Sequence, residues 1–344
     1  MAVKSCLMIG AGGMAGGWIK TFTDNFADRI KIIGLVDVKP DILNRQAQAL
    51  GLEKSQLFTD HNEACAKVKA DFCGIATPPQ FHVPAAVAAM THGMPVICEK
   101  PIGDTLEAAK RMLRTSRETG LPCAIIQNYR YAANKQELVR IRDEKRLGRL
   151  QHIVGRYACD YRRYGSWGGW RHDMDFGLLF EGSIHHFDML RFLSGGDCET
   201  LVGFGWNPEW SSFKHDSSGF YLMRMNNGVH TVYEGNSSAA GVTNCWHQEY
   251  YRAEFEEGTV EIAGGNQITI HRADKPPEVY EAPGVSRFGH AHLFDEFLNW
   301  LDGGTPSVTR IEDNIKSFAL VIAAMETTVD GQPKRIADYL SELV

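Results

Sequence analysis

The chain has 344 residues, 44% hydrophobic and 23% charged, with a formal net charge of −6. That length suggests about two domains, the composition fits a globular fold with a sizeable core, and the acidic balance excludes a general basic surface for nucleic acid. Eight scattered cysteines with no Cys-x-x-Cys pair indicate buried thiols in a reducing compartment, not a disulfide framework.

Val3 to Ile9 reads as a strand, and Gly10-Ala11-Gly12-Gly13-Met14-Ala15-Gly16 follows it. Met14, Trp18, Phe22 and Phe26, spaced by four, then open a helix. The sequence of strand, glycine turn and helix matches the dinucleotide fingerprint in its G-x-G-x-x-A form. Gly10 allows the tight turn, and Gly12 lets a pyrophosphate approach the helix N-terminus. Glycines crowd many loops, so the motif needs support. A second apolar run, 32–36, supplies it by ending in Asp37, about 20 residues on, where the fingerprint wants an acid for the ribose hydroxyls. That acid favours NAD, while Lys39 nearby leaves NADP open; the competing role for Asp37 is to cap a helix starting near Pro40.

Helix and strand then alternate: helix over 63–68, strand over 72–76 ending at Thr77-Pro78-Pro79, helix over 81–90, strand over 96–98, helix over 105–119 and strand over 123–126. Such alternation means a parallel sheet with right-handed crossovers, giving a first domain over 1–127. Glu99-Lys100-Pro101 follows the strand at 96–98. Ligands bind outside the carboxyl ends of strands in such sheets, so this charged pair, with Pro101 favouring an extended exit, sits where chemistry is done.

Beyond Asn128 the rhythm changes. A charged helix over 135–146 leads to a strand at 153–157, an aromatic loop and a helix over 184–193. Strands follow at 220–225, 229–233, 250–255, 260–262 and 268–271, with a hairpin signal at Asn227-Gly228. Helices near 291–301 and 312–329 close the chain. Residues 128–344 are therefore expected to form an α+β domain with a mostly antiparallel open sheet, the last helices packing back on the first domain. The residues before Gly10 lack a signal-peptide core and no stretch reaches transmembrane length, so a cytoplasmic protein without a membrane partner is expected.

The segments Gly10-Ala11-Gly12-Gly13-Met14-Ala15, Thr77-Pro78-Pro79-Gln80-Phe81-His82, Glu99-Lys100-Pro101, Trp170-Arg171 and Glu181-Gly182-Ser183-Ile184-His185-His186-Phe187-Asp188 together resemble, nearly end to end, the Gfo/Idh/MocA oxidoreductase family. The resemblance implies a Rossmann domain, then an α/β domain whose open sheet often mediates oligomers, and hence a homodimer or homotetramer. It also implies a nicotinamide cofactor and mostly sugar or polyol substrates. Lys100 and His185 would flank the nicotinamide as the catalytic pair, with Glu181 where many members carry Asp and Ser183 where Gly is common. Cofactor contacts would come from Gly10, Gly12, Gly13, Met14 and Ala15, from Asp37, Thr77, Pro78 and His82, and from Glu99 and Lys100. Asn128, Trp170 and Arg171 complete that set.

Oxidising a secondary alcohol removes a hydride, which such a cofactor accepts, and a proton, which needs a base within hydrogen-bond reach. Histidine titrates in the right range; lysine does once desolvation and a positive ring lower its pKa. Either His185 is the base and Lys100 stabilises alkoxide character, or the two exchange roles. Glu181 would hold a neighbouring hydroxyl or orient the pair. Tyr129 and Arg130, with Tyr157, Asp160, Arg163, Trp167 and His172 of the aromatic loop, are expected to join Lys100, Glu181 and His185 at the substrate. Aromatic faces cover the C–H side of a sugar ring and charged groups meet its hydroxyls, although arginines also suit a carboxylate or phosphate. Neither His290-Ala291-His292 nor His172-Asp173 has the spacing of a closed metal site, so none is expected. Two rivals remain: a glycosidase that keeps NAD bound and acts by transient oxidation and elimination, and a non-catalytic sugar sensor. A sensor has no need of a proton-transfer pair.

Overall fold

The computed structural model describes residues 2–341. The chain divides into two compact units, Met1–Ile126 with His290–Ile315, and Gln127–Gly289 with Lys316–Val344. The first opens with β1 (Lys4–Ile9), α1 (Gly13–Asn25), β2 (Ile30–Val36), α2 (Pro40–Leu50), β3 (Leu57–Phe58) and α3 (His61–Lys67). It continues with β4 (Phe72–Ile75), α4 (His82–Thr91), β5 (Val96–Cys98), α5 (Leu106–Thr119) and β6 (Cys123–Ile125). The six strands form one parallel sheet ordered β3-β2-β1-β4-β5-β6, the dinucleotide-binding order with its reversal between β1 and β4. β4, β5 and β6 are buried throughout, which is why they read as unbroken apolar runs rather than alternating ones. Thr105 caps α5 by accepting from Ala108 N at 3.2 Å, and Gly120 ends it in the left-handed region.

The second unit contains α6 (Ala133–Asp143), β7 (Leu150–Ala158), α7 (Gly169–Asp173), α8 (Ile184–Ser194), β8 (Cys198–Trp206), β9 (Ser218–Met225), β10 (His230–Asn236), β11 (Tyr250–Phe255), β12 (Gly258–Ile262), β13 (Gln267–His271) and β14 (Glu278–Glu281). Then come α9 (Gly289–Leu301), α10 (Ile311–Asp330), β15 (Lys334–Arg335) and α11 (Ile336–Leu340). Nine strands make a sheet ordered β14-β13-β12-β11-β7-β10-β9-β8-β15, antiparallel except where β7 meets β10. The fold class is therefore the expected one. Phe187 of α8 packs on Tyr221 and Tyr233, at 5.7 and 5.1 Å between ring centroids. From His290 on, α9 belongs to the first unit. Its Phe294 meets Trp18 at 4.9 Å and Phe22 at 4.7 Å, and Phe297 meets Phe72 at 5.6 Å.

Three sequence expectations are corrected. Cys159 and Cys245, 86 residues apart, form a disulfide, because the neighbouring residues Ala158 and Asn244 bridge two segments; the other six cysteines are free and buried. The Lys100–Pro101 peptide is cis and a bend follows it, not an extended exit. β8 is absent from the sequence reading because its outer face carries Phe204 and Trp206, so polar and apolar positions do not alternate along it.

Candidate functional site

In the first unit, Gly10 follows β1, Ala76 follows β4 and Glu99 follows β5. Ala76 N donates to Ile9 O at 3.0 Å and Glu99 N to Ile75 O at 2.9 Å, so the glycine turn, Thr77 and Lys100 share one carboxyl edge of the sheet. Only glycine fits at position 10: its φ is +102°, and a Cβ there would stand 2.4 Å from Ala76 O. α1 starts after Gly12 with no side-chain cap and no acid in its first turn. Its leading N–H groups and the positive end of its dipole suit an anion such as a pyrophosphate. Thr77 Oγ1, on the same edge, is buried without a hydrogen-bond partner. Asp37 does not cap α2, whose N-cap is Lys39. Its Oδ2 accepts from Ala11 N and its Oδ1 from Lys39 N, both at 2.9 Å, which ties this acid to the glycine turn. An uncapped helix start, an orphaned hydroxyl and this acid fit a dinucleotide.

Glu99 anchors the turn that carries Lys100. Its Oε1 accepts from Trp18 Nε1 and His290 Nε2, both at 3.0 Å, and its Oε2 from Lys100 N at 3.1 Å. Burial pushes its carboxyl up, but His290 and Lys100 outweigh that and hold it below the usual range. His82, expected at the cofactor, is buried with its ring nitrogens 2.7 Å from Pro101 O and Thr77 O. It pins the two edge loops together.

In the second unit a π-helical turn, Leu178–Ser183, runs directly into α8. It carries Glu181, whose Oε2 accepts from Arg171 at 3.3 and 3.4 Å. The Arg171 guanidinium lies 4.1 Å from the Trp170 ring and 5.1 Å from that of Trp167, a cation–π arrangement. Trp167 stacks on Tyr161 at 5.3 Å, and Tyr161 OH accepts from Trp246 Nε1 at 2.7 Å. The His185 ring lies 4.3 Å from Tyr129, whose ring also stacks on His247 at 4.2 Å, and Trp246 meets His185 edge-on at 6.3 Å. Tyr129, His185, Trp246 and His247 thus form one aromatic cluster.

Several other expected substrate residues are buried against protein partners. Arg130 is buried and makes a bidentate pair with Asp188, its Nε 2.7 Å from Oδ2. Tyr157 is fully buried beneath His186 and Trp246. His172 is fully buried, stacked on Phe213, with its ring nitrogens facing Tyr161 O at 3.0 Å and Gly168 O at 3.3 Å; it holds the aromatic loop together. Asp160 is exposed, and the Arg162 guanidinium lowers its carboxyl to about 2. Arg163 is exposed and Asn128 buried. His247 and Glu249 carry no sequence signal of a site; only the fold brings His247 against Tyr129 and Glu249 against His186. Among the described residues no cluster of His, Cys, Asp or Glu could hold a metal ion, and no helix is long and apolar enough to cross a membrane.

Two family profiles match the chain: an oxidoreductase family with an NAD-binding Rossmann fold over residues 4–127, and a GFO/IDH/MocA C-terminal domain over residues 136–261. The uncharacterized protein y4oX of Sinorhizobium fredii is 36% identical over 346 residues, covering 97% of this chain and 96% of the relative. A D-apiose dehydrogenase of Rhizobium rhizogenes is 26% identical, covering 90% and 91%. An oxidoreductase from Agrobacterium radiobacter, solved in complex with NAD+, L-tartaric acid and magnesium, superposes with a TM-score of 0.87 at 21% identity, covering 98% of this chain and 99% of that one.

Proposed function

The chain belongs to the Gfo/Idh/MocA family of NAD-binding oxidoreductases, and from that premise we propose that it moves a hydride between NAD or NADP and a secondary hydroxyl or ketone of a sugar or polyol. The observation that carries this reading is Lys100, two residues beyond β5 on the sheet edge it shares with the dinucleotide turn. Relatives named D-apiose dehydrogenase and inositol 2-dehydrogenase support the substrate class.

The glycine turn, α1, Asp37 and Thr77 would hold the dinucleotide, which when bound supplies the hydride acceptor. His185 takes the hydroxyl proton, and the Lys100 ammonium steadies the oxygen as it gains alkoxide character. Glu99 fixes Lys100 through its backbone N–H. Glu181, ion-paired with Arg171, meets a neighbouring hydroxyl of the substrate. Trp167, Trp170 and Trp246 offer flat faces to the C–H side of the sugar. Phe204, Trp206, Phe220 and Leu222, exposed together on the outer face of β8 and β9, support a second copy of this chain as partner, hence a homodimer or homotetramer.

A panel of sugars and polyols, mixed with NAD and NADP in parallel, should give reduced nicotinamide with at least one member. On that substrate Lys100→Ala or His185→Ala should lower turnover by about 10²–10⁴ while NAD still binds. Near-wild-type turnover in both variants would refute the proposed pair. Glycoside cleavage without net reduced nicotinamide would instead identify the glycosidase.

A further inference from the structure

The segment from Asn244 to Glu249 is tethered at both ends. Asn244 exchanges backbone hydrogen bonds with Ala158, at 2.8 and 3.2 Å, and Cys245 is joined to Cys159. At the far end stands Glu249, 0% exposed. Between them His247 holds φ at +65°, a left-handed conformation uncommon for a residue with a Cβ and sustained by its surroundings. One sustaining contact is visible: Glu249 Oε1 accepts from His247 N at 2.9 Å. Lys135 Nζ lies 3.5 Å from the other carboxylate oxygen, and His186 Nε2 lies 3.7 Å from Oε1. His186 in turn meets Tyr233 OH at 2.9 Å, and that hydroxyl meets Ser183 Oγ at 2.9 Å. One buried carboxylate therefore touches both elements of the aromatic cluster: the turn and helix that carry Glu181, Ser183 and His185, and the loop that carries Trp246 and His247.

We propose that Glu249 is a positioning residue for the substrate site, holding His247 and Trp246 against Tyr129 and His185. It acts through the His247 backbone and through His186, and contacts no reacting atom. The inference rests on the reading of His185 as a member of the catalytic pair. A buried ion pair alone would be a structural device, often replaceable by apolar side chains of similar volume. What a purely structural pair has no use for is an acceptor aimed at the one strained N–H in the loop.

Two double variants separate these roles. Lys135→Met/Glu249→Met and Lys135→Met/Glu249→Gln both remove the buried charges, but only Gln keeps an acceptor for the His247 N–H. The two should melt within a few degrees of each other and bind NAD equally. In the Met variant, amide exchange across residues 244–249 should quicken by about tenfold, the worth of one such hydrogen bond. KM for the polyol should rise by about the same factor, with kcat less affected, and the Gln variant should stay near wild type in both. Equal exchange and equal KM in the two variants would overturn the proposal. If the wild-type protein oxidises no polyol, the proposed function fails, and the exchange difference alone decides whether Glu249 holds the loop.

Discussion

At Asp37 one side chain joins two backbone segments. Its oxygens take the N–H groups of Ala11, inside the glycine turn, and of Lys39, at the start of α2. A carboxylate there repels a ribose 2′-phosphate, and Lys39 would attract it once the acid is gone. Removing a unit charge close to a second, solvated charge changes an affinity by about tenfold. Asp37→Ser should therefore raise NADP affinity relative to NAD by about that factor, read by fluorescence titration of both cofactors; an unchanged ratio would mean that Asp37 does not meet the ribose. Gly10 is legible in sequence because backbone geometry accepts one kind of residue at a fixed place along a strand–turn–helix unit. Arg130 and His172 are not. Their types suit a sugar pocket, but their partners, Asp188 and the carbonyls of Tyr161 and Gly168, are set by folding and turn both side chains inward.

Elements show the same division. Alternation located β11 because one face is buried and the other carries polar residues such as Arg252 and Glu254, whereas β9 reads as a strand from its apolar run, since its outer face carries Phe220 and Leu222 beside Arg224. Alternation failed for β8, whose exposed side is aromatic, and for β14, a short and largely exposed edge strand. In α6 the charged pattern suggests a solvated helix, yet Lys135 and Glu137 are buried, each facing a countercharge from elsewhere, Glu249 and Arg146. Where α8 meets the segment leading into β11, burial has a consequence for acid stability. Burial lowers the His186 pKa despite the nearby Glu249 carboxylate, so below its ordinary value of about 6.5 the unfolded chain binds a proton that the folded chain refuses. Burial would raise the Glu249 carboxyl, but His186 and Lys135 outweigh it and hold it at about 2. The stability Glu249 contributes is thus present above its unfolded value, about 4.3, and is lost as pH falls towards 2. Both groups act in the same direction. The urea midpoint of the second unit should fall steadily from pH 7 to pH 4, and His186→Gln should flatten the part of that fall between about 6.5 and 5. A midpoint independent of pH over that range, or an unchanged slope in the variant, would assign the acid sensitivity to other groups.

Over the whole molecule, the alternation of strands and helices made five of the six strands of the first sheet legible, since short crossovers leave few arrangements; the two-residue β3 leaves no such signal. The second sheet demanded pairings between distant segments, β7 with β10 and β11, that no local pattern specifies. The disulfide belongs with those. Cys159 and Cys245 look unrelated until β7 and the segment before β11 lie side by side, and a scattered cysteine count therefore misjudges them. The two units consequently have different external supports. NAD at about a hundred times its dissociation constant adds about 2.7 kcal/mol to the state that binds it, and the cross-link, by restricting the unfolded chain, contributes about 2–4 kcal/mol. Hydrogen exchange should register each where it acts. NAD should slow exchange in the glycine turn and the first turn of α1. A reductant, or Cys159→Ser, should quicken exchange near residues 158–161 and 244–249 and lower the melting temperature. If reduction leaves both the exchange and the melting temperature unchanged, the cross-link does not hold the His247 loop in the folded protein, and that hold falls to other contacts, Glu249 and the Ala158–Asn244 bridge among them.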